Sequence, residues 1–302
     1  MKKNKALAVP FVLWAILFIA VPLVMVVWYG VTVEETPAYV EVEGIDGQTM
    51  FQLEDGTLTA ERPETQTVVS LANFKRMLEP TYLKLLLRSL KIALFTTILC
   101  LLLGYPVALI LSGRDFKRPG LWLMLIILPM WMNFLLRTMA WQTLLEKNGV
   151  INSILSFVHL PALEIINTPW AIILGMVYNF LPFMVLPIYN VLIKIDRDVI
   201  NAARDLGASS SYTFLKIILP LSIPGIISGI TMVFVPALTT FVISDLLGGG
   251  KILLIGNVIE QSFKQNSNWH VGSGLSMVLM VFIIASMALV AKYDKEGEGS
   301  SF

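Results

Sequence analysis

Long stretches of apolar residues, free of Asp, Glu, Lys and Arg, recur along this chain of 302 residues. One helix needs about 20 mostly apolar residues to cross a bilayer. Six stretches reach that length, and none is long enough to cross twice. They cover residues 6–33, 92–113, 119–136 with an extension past Arg137 to 145, 165–193, 217–244 and 265–291. The pattern predicts an all-α polytopic membrane protein with six transmembrane helices.

The first apolar stretch follows a short basic head that contains Lys2, Lys3 and Lys5. A similar head precedes secretory signal peptides, whose apolar core is about 7–15 residues long. The stretch in this chain is far longer than such a core. We therefore expect an uncleaved first helix.

The basic residues of the loops predict the orientation, because Lys and Arg are more frequent in cytoplasmic loops. With the N-terminus inside, the inner segments hold twelve Lys and Arg residues and the outer segments hold six. The inner segments are 1–5, 114–118, 194–216 and 292–302, and the outer segments are 34–80, 146–164 and 245–264. This distribution predicts that both termini are cytoplasmic. Arg137, which lies inside a span, is expected to snorkel outward.

The composition excludes several other classes of protein. Hydrophobic residues make up 56% of the chain, charged residues only 14%, and the mean hydropathy is +0.75. Soluble chains carry about 25% charged residues, so a soluble globular enzyme is excluded. The single cysteine, Cys100, allows no disulfide within the chain, and His159 and His270 lack the spacing of a metal site. A net charge of +1 gives no reason to expect a nucleic acid partner.

Residues 34–82 differ from the rest of the chain because they are polar and acidic. Residues 34–80 hold ten acids and three bases. Alternating apolar and polar residues in 39–43 and 49–53 predict a small β-hairpin outside the membrane. Two roles stay open for this insertion, a solvated cap on the helices and a docking surface for an external partner.

The longest inner loop, residues 194–220, predicts a helix, a turn and a second helix. Asp198 can cap the first helix, and Gly207 suits the left-handed position that ends it. Apolar side chains between them recur at helical spacing and form one narrow stripe. The stripe consists of Val199, Ala202, Ala203 and Leu206. Its small residues favour close approach by another protein, although a helix lying on lipid is the alternative.

The second helix of this loop carries Phe214 at the start of a similar apolar spacing, and Pro220 marks the step into the next span. The run from Asn201 through Gly207 and Phe214 to Leu219-Pro220 resembles the Glu-Ala-Ala loop of ABC importer permeases. Asn201 stands where that family has Glu. The segments 88–96 and 104–108 resemble the opening of the same permease core, so the resemblance covers about residues 88–292.

The resemblance implies that the loop is a coupling helix, which docks into a groove of a cytoplasmic ATPase. The residues that it places in this role are Asp198, Val199, Asn201, Ala202, Ala203, Asp205, Leu206, Gly207, Phe214 and Pro220. It also implies a type I ABC importer permease fold with a small external insertion. The domains would be a transmembrane helix (1–33), a periplasmic insertion (34–82), a five-helix core (84–292) with its coupling loop (196–220), and a cytoplasmic tail (293–302).

The resemblance further implies the partners of this chain. They are a second, homologous permease subunit in a heterodimer, two cytoplasmic ATPase subunits, a periplasmic binding protein and the lipid of a bacterial inner membrane. The chain contains no P-loop, because Gly248-Gly-Gly-Lys251 lacks the following Ser or Thr. We therefore expect a transport subunit and no enzyme, with no cofactor of its own and with ATP and Mg²⁺ used by the ATPase.

The overall pattern is most similar to polyamine (spermidine/putrescine) importer permeases, which implies a polyamine as the solute. Another small solute, such as an amino acid, is the alternative. A secondary transporter is a further alternative, but no inverted repeat or charged midplane pair is visible.

Polar and aromatic residues inside the spans are candidates for the solute path, because such groups usually face a cavity or a bundle interior. Those singled out are Trp141, Tyr178, Asn179, Thr240 and Asp245. Asp245 is expected at the outer, C-terminal end of the fifth span, where it could meet an amine. Helix–helix contact by Asn and Thr, and a surface role for Asp245, stay open as alternatives.

Overall fold

The structure is a computed structural model, and it describes residues 5–35, 39–43, 49–53, 58–59, 65–113, 116–264 and 268–298. Lys2, Lys3 and Arg114, which entered the prediction of orientation, lie outside the described residues, as do residues 299–302 of the tail.

Four described helices are long and apolar enough to cross a membrane. They cover Pro10–Gly30, Pro80–Ser112, Pro169–Leu192 and Trp269–Ala288. Two further apolar segments are pairs of helices with a sharp bend between them, so the number of spans is six if each pair crosses once. The sequence prediction of a helical membrane protein is confirmed.

The first span contains α1 (Lys5–Ala15) and α2 (Val21–Gly30), which are joined by a π-helical turn over Ile16–Ala20. This span is apolar on all sides, and its described side chains are largely exposed. A helix that is apolar all round needs lipid or protein on every face.

Five short strands follow the first span, namely β1 (Thr32–Glu35), β2 (Tyr39–Glu43), β3 (Thr49–Leu53), β4 (Leu58–Thr59) and β5 (Gln66–Val69). The hairpin predicted from alternation is confirmed, because β2 pairs with β3 in an antiparallel register that sets Tyr39 opposite Leu53. β4 extends this sheet from the other edge of β3. β1 pairs separately with β5, a contact between distant segments that the sequence pattern does not show.

The second span is longer than its apolar run. A short helix, α3 (Ala72–Arg76), precedes α4 (Pro80–Ser112), which begins well before residue 92. The extra turns carry Lys84, Arg88 and Lys91, which end an apolar run but are good helix formers. These charged residues therefore mark where the apolar, membrane-spanning part of α4 begins, but the helix itself continues through them.

The third apolar stretch is broken, so the prediction of one continuous helix is wrong. It forms α5 (Pro119–Ile127), a 3₁₀ turn and α6 (Phe134–Leu145), and α7 (Val150–Phe157) follows. The segments on either side of residues 132–133 are bent by 94°. Asn133 starts the new helix, because its side chain accepts hydrogen bonds from the backbone N–H groups of the two residues after Phe134, at 2.9 and 3.2 Å.

The fourth and fifth spans contain α8 (Pro169–Leu192) and α12 (Ile223–Thr239), which pack closely together. Two glycines four residues apart on α12 permit this approach. A Cβ atom on Gly225 would lie 2.9 Å from the carbonyl oxygen of Pro187, and one on Gly229 would lie 2.7 Å from Met184 Sδ.

Three short helices lie between α8 and α12. They are α9 (Arg197–Asp205), α10 (Ser210–Thr213) and α11 (Leu219–Leu221), with a π-helical turn over Phe214–Ile218. The segment 210–221 is bent by 61° from α12, and Ser222 is the residue between them.

The fifth span ends earlier than its apolar run predicts. α12 stops at Thr239, and a separate short helix, α13 (Val242–Gly248), follows it. Gly256 packs into this break, since a Cβ there would lie 2.5 Å from the carbonyl oxygen of Thr239. The chain continues through α14 (Ile255–Lys264) to α15 (Trp269–Glu298).

The contacts divide the chain into two compact units. One comprises Met1–Leu83 with Ile259–Val281, and the other comprises Lys84–Val258 with Phe282–Phe302. The second unit holds most of the buried apolar core, contributed mainly by α8 and α4, with further residues from α12 and α13. The domain limits inferred from the resemblance remain predictions.

Candidate coupling segment and solute path

The first helix of the predicted coupling loop begins two residues earlier than expected, because its N-cap is Asp196 and not Asp198. Asp196, with an extended backbone, is the N-cap of α9 and accepts a hydrogen bond from the backbone N–H of Asp198 at 2.9 Å. The assignment of the cap to Asp198 is therefore wrong. Asp198 instead lies in the first turn, where its charge is favourable to the helix dipole.

The C-terminal end of α9 confirms the predicted role of Gly207. This glycine has a φ of +84°, and a Cβ there would meet no atom within 4 Å. The N–H of Gly207 donates to the carbonyl of Arg204 at 2.9 Å, and the N–H of Ala208 donates to that of Ala203 at 3.0 Å. These two bonds form a Schellman motif, which fixes where the helix stops.

The predicted apolar stripe of α9 is left uncovered by the described part of this chain. Leu206 is 89% exposed and Val199 is 46% exposed. Ala202 is exposed and Ala203 is half-buried, and the polar candidates Asn201 and Asp205 are exposed as well. The stripe is therefore accessible for contact with another protein or with lipid.

Arg197 anchors α9 to the transmembrane bundle, a role that the sequence analysis missed. Its Nη2 atom donates to the carbonyl oxygen of Ser112 at 3.0 Å. Ser112 is the last residue of α4, so this carbonyl has no partner within its own helix. A basic residue beside a helix start is visible in the sequence, but a partner 85 positions away is not.

The second part of the loop begins at Ser209, whose side chain accepts a hydrogen bond from the N–H of Tyr212 at 3.2 Å and caps α10. Phe214 packs edge-to-face on Tyr105 of α4, with ring centroids 5.9 Å apart. Pro220 is exposed and lies within α11, so the step into the next span comes at Ser222.

Two of the predicted path residues contact each other. Trp141 of α6 and Tyr178 of α8 form a T-shaped pair with centroids 5.1 Å apart. The guanidinium of Arg137 lies 5.9 Å from the centroid of the Tyr178 ring. The structure thus builds an aromatic and cationic cluster from α6 and α8.

Arg137 does not snorkel outward, so that expectation is wrong. The residue is only 7% exposed, and its Nη1 donates to the carbonyl oxygen of Pro129 at 2.7 Å. Its Nε has no hydrogen-bond partner among the described residues. The break at residues 132–133 leaves the carbonyl of Pro129 with only the 3₁₀ hydrogen bond from the N–H of Met132, at 3.2 Å, and the guanidinium takes its second acceptor position.

Asn179 faces the core and not the aromatic pair. It is 1% exposed, and its Nδ2 donates to the carbonyl oxygen of Gly175 at 2.7 Å. Its Oδ1 is buried without a hydrogen-bond partner in the described part of the chain. Asn179 therefore fits a structural role within α8 at least as well as a place on a path.

Asp245 does not lie at the C-terminal end of the fifth span, as the sequence analysis expected. It lies in the first turn of α13, where a carboxylate stabilises the helix dipole. The side-chain Nδ2 of Asn257 donates to Asp245 Oδ1 at 2.5 Å and to the carbonyl oxygen of Phe241 at 3.2 Å. The Oδ1 of Asn257 accepts from Ser244 Oγ at 2.7 Å and from the N–H of Leu254 at 2.9 Å.

The helix that bears Asp245 packs against both helices of the aromatic cluster. α13 contacts α6 and α8. Gly175 makes this possible on α8, since a Cβ there would meet the side chains of Leu247 and Ile243. Thr240 is half-buried at the C-terminal cap of α12, and its N–H donates to the carbonyl of Pro236 at 2.9 Å. The elements carrying Asp245, Trp141 and Tyr178 therefore pack together in one unit.

A second polar cluster lies in the unit that contains the strands. His270 is buried, and its Nδ1 lies 2.7 Å from the carbonyl oxygen of Thr32. Its Nε2 lies 3.4 Å from the carboxylate of Glu34. Asn73 donates to the carbonyl oxygens of Gly30 and Thr32 at 3.1 and 2.8 Å. These bonds tie β1 to α3 and to the start of α15, and nothing in the sequence pattern indicated them.

Comparison with known proteins supports the family resemblance. The family of binding-protein-dependent transport system inner membrane components matches residues 4–293. The spermidine/putrescine transport system permease protein PotB of Escherichia coli (strain K12) is 43% identical over 225 residues, 74% of this chain and 82% of that protein. The protein of the same name from Salmonella typhimurium (strain SL1344) is 36% identical over 291 residues, 96% of this chain and 92% of that protein.

A solved structure shares the fold. It is a crystal structure of a bacterial ABC transporter involved in the import of the acidic polysaccharide alginate, with a TM-score of 0.68. The match covers 98% of this chain and 95% of that one, at 15% sequence identity. Family membership also removes the secondary transporter as an alternative. This chain belongs to the inner membrane components of binding-protein-dependent transport systems, the permease subunits of ABC importers.

Proposed function

We propose that this chain forms half of the translocation path of an ATP-driven importer for polyamines such as spermidine and putrescine. The observation that carries the proposal is the identity of 36% over 96% of the chain to a permease named for these solutes. The half-buried carboxylate of Asp245, beside the helices of an aromatic cluster, supports it because it suits a cationic solute.

The chain needs partners in this proposal. It contains no P-loop for nucleotide, so two cytoplasmic ATPase subunits use ATP and Mg²⁺ on its behalf. A second, homologous permease completes the path in a heterodimer, and a periplasmic binding protein delivers the solute. The protein lies in a bacterial inner membrane with both termini in the cytoplasm, as the twelve inner and six outer Lys and Arg residues favour.

The segment 197–220 couples the ATPase to the membrane bundle. Leu206 and Val199 supply the exposed apolar surface that a groove of the ATPase covers. Arg197 and Phe214 hold the segment to α4, through the carbonyl of Ser112 and the ring of Tyr105. A displacement of the docked helix is therefore passed to the membrane helices through side chains that are already in contact.

The solute path uses Asp245 and the aromatic pair. An ammonium group that leaves the binding protein meets the carboxylate of Asp245, with the half-buried Thr240 nearby along the chain. The faces of Trp141 and Tyr178 then stabilise the partly desolvated cation, by about 0.5–2 kcal/mol for each ring. The Oδ1 of Asn179, which has no hydrogen-bond partner among the described residues, is a further acceptor next to Tyr178 in the sequence.

One observation favours a second candidate solute. Arg137 is a buried cation beside Tyr178, and such a charge attracts a carboxylate and repels an amine. A zwitterionic amino acid would pair its carboxylate with Arg137 and its amine with Asp245. Transport of labelled spermidine by the reconstituted complex, with unlabelled amino acids as competitors, distinguishes the two solutes.

A further inference from the structure

A buried hydrogen bond joins α4 to the bend that follows the coupling segment. Tyr105 Oη and Ser222 Oγ lie 2.9 Å apart, and Ser222 is completely buried. Ser222 Oγ also lies 2.8 Å from the carbonyl oxygen of Leu219, which can only accept. The hydroxyl hydrogen of Ser222 therefore goes to Leu219, and Tyr105 donates its own hydrogen to Ser222.

The bend lacks one bond of the regular helical ladder, although the N–H of Ser222 donates to the carbonyls of Ile218 and Leu219 and its own carbonyl accepts from the N–H of Ile226. Ser222 is the single residue between the segment 210–221 and α12, which are bent by 61°. Pro224 has no N–H to donate to the carbonyl of Pro220, four residues before it. The π-helical turn over Phe214–Ile218 precedes the bend, and such turns interrupt the regular helical ladder. The side-chain bond between Tyr105 and Ser222 therefore acts on a joint whose backbone ladder is incomplete.

The two arms of the bend, which are the segment 210–221 and α12, make different contacts with the rest of the chain. Gly225 and Gly229 fix α12 against the backbone of α8, so that arm moves with the membrane bundle. The other arm carries α9 and ends in the coupling segment. Tyr105 contacts both sides of the joint, because its ring packs on Phe214 at 5.9 Å and its hydroxyl bonds to Ser222.

We propose that Tyr105 is a positioning residue that sets the angle at Ser222. It thereby allows a movement of the coupling segment to be transmitted to α12. With the bond in place, a displacement of α9 by the ATPase rotates α12. Without it, the joint keeps only its incomplete backbone ladder and absorbs part of the displacement, and ATP is hydrolysed with less transport. The proposal rests on the proposed function in that it takes segment 197–220 as the part that receives the ATPase stroke.

The first test measures the coupling ratio, which is solute imported per ATP hydrolysed, in proteoliposomes that contain the whole complex. Tyr105→Phe keeps the ring and removes only the hydroxyl. We expect the ratio to fall about 2- to 10-fold, the range of one net hydrogen bond, while ATP hydrolysis stays near that of the parent. A loss of folded complex would instead lower uptake and hydrolysis together.

Tyr189→Phe is the matched control. Tyr189 lies on the neighbouring α8, and its hydroxyl has no hydrogen bond to the described residues. Its coupling ratio should equal that of the parent. An equal fall in both variants would show a general effect of removing a hydroxyl and would overturn the proposal.

A double substitution tests whether the two residues act through one bond. Ser222→Ala removes the acceptor for Tyr105, so adding Tyr105→Phe to it should lower the coupling ratio no further. Independent effects would instead multiply. A multiplied loss in the double variant would contradict a shared role.

A distance measurement tests the joint without any solute. Spin labels at Leu215→Cys and Ser228→Cys occupy exposed positions on the two arms, and Cys100 is buried. In the assembled complex, Tyr105→Phe should broaden the distribution of distances between the labels, whereas Tyr189→Phe should not. This result is independent of whether the complex carries polyamines. A distribution in Tyr105→Phe that matches the parent would overturn the proposal, even if the proposed solute is correct.

Discussion

Asn257 holds the carboxylate of Asp245 by a hydrogen bond of 2.5 Å across twelve positions of the chain. The side chain of Asn257 is fully buried, and both hydrogens of its amide and both acceptor positions of its oxygen are used. A fully satisfied buried group of this kind is rigid, because each bond fixes the others. The hydrogen bond from Asn257 therefore holds the carboxylate of Asp245 in a fixed position in the first turn of α13.

Asp245→Asn should weaken uptake of the solute and leave assembly intact. The substitution removes the charge, yet the amide oxygen still accepts the hydrogen bond from Asn257. A charge-assisted hydrogen bond is worth about 1.5–3 kcal/mol, so we expect the KM of polyamine uptake to rise about 10-fold or more. Uptake kinetics in proteoliposomes measure this.

Glu146→Gln is the control for that experiment, because Glu146 is an exposed carboxylate in the same compact unit. Its KM should equal that of the parent. Unchanged kinetics for Asp245→Asn would assign Asp245 to a structural role at the start of α13.

Asn257→Ala should destabilise the protein as well as displace Asp245. It leaves the N–H of Leu254 without its side-chain partner in a buried site and removes one of the hydrogen bonds to the carbonyl of Phe241. We expect a loss of about 1–3 kcal/mol in the free energy of unfolding. Thermal unfolding in detergent checks this, with the exposed Asn201→Ala as a control that should not change the midpoint. Equal midpoints for both variants would contradict the role given to Asn257.

Ala203→Asp should weaken binding of the ATPase. Ala203 lies half-buried in the stripe beside Leu206, and the substitution places a charge in a surface that we propose is covered by protein. Co-purification of the tagged ATPase with each variant measures binding. Ser210→Asp adds the same charge at an exposed position outside the stripe and should bind normally. Normal binding and transport by Ala203→Asp would show that the stripe faces lipid.

The effect of a substitution at Gly207 should depend on how well the new residue tolerates the left-handed backbone conformation and not on the size of its side chain. Its φ of +84° disfavours a Cβ, although no atom lies within 4 Å of that position. Gly207→Ala should cost about 1 kcal/mol and lower ATP-driven uptake. Gly207→Asn, although larger, should retain more activity, because Asn tolerates the left-handed region better. A milder effect for Ala than for Asn would indicate that size, and therefore contact with a partner, controls this position.

The sequence predicted the membrane helices and the helix α9 well, because both depend on local patterns. Apolar length located the spans, and helical spacing together with Gly207 located the end of α9. The breaks within spans were missed, since hydropathy is the same on both sides of Asn133 and Thr240. The break at Asn133 depends on a side-chain cap, and the break at Thr240 depends on the approach of Gly256 from another segment.

The candidate path residues stay predictions, and the contacts among them were not predicted. Trp141 and Tyr178 were each singled out as aromatic residues inside spans, and the structure shows that their rings contact each other. The partner of Asp245 was not visible, because Asn257 lies in a different helix. Arg137 was misplaced for the same reason, since its role depends on a carbonyl that only the broken helix exposes.

Uptake of labelled spermidine and putrescine by the reconstituted importer tests the central claim most directly. The assembly contains this chain, its second permease, the ATPase subunits and the binding protein, in vesicles loaded with or without ATP. The account predicts ATP-dependent uptake that unlabelled polyamines compete for and amino acids do not. Vesicles that contain this chain alone should show none. Uptake that amino acids abolish, or transport by this chain without its partners, would contradict it.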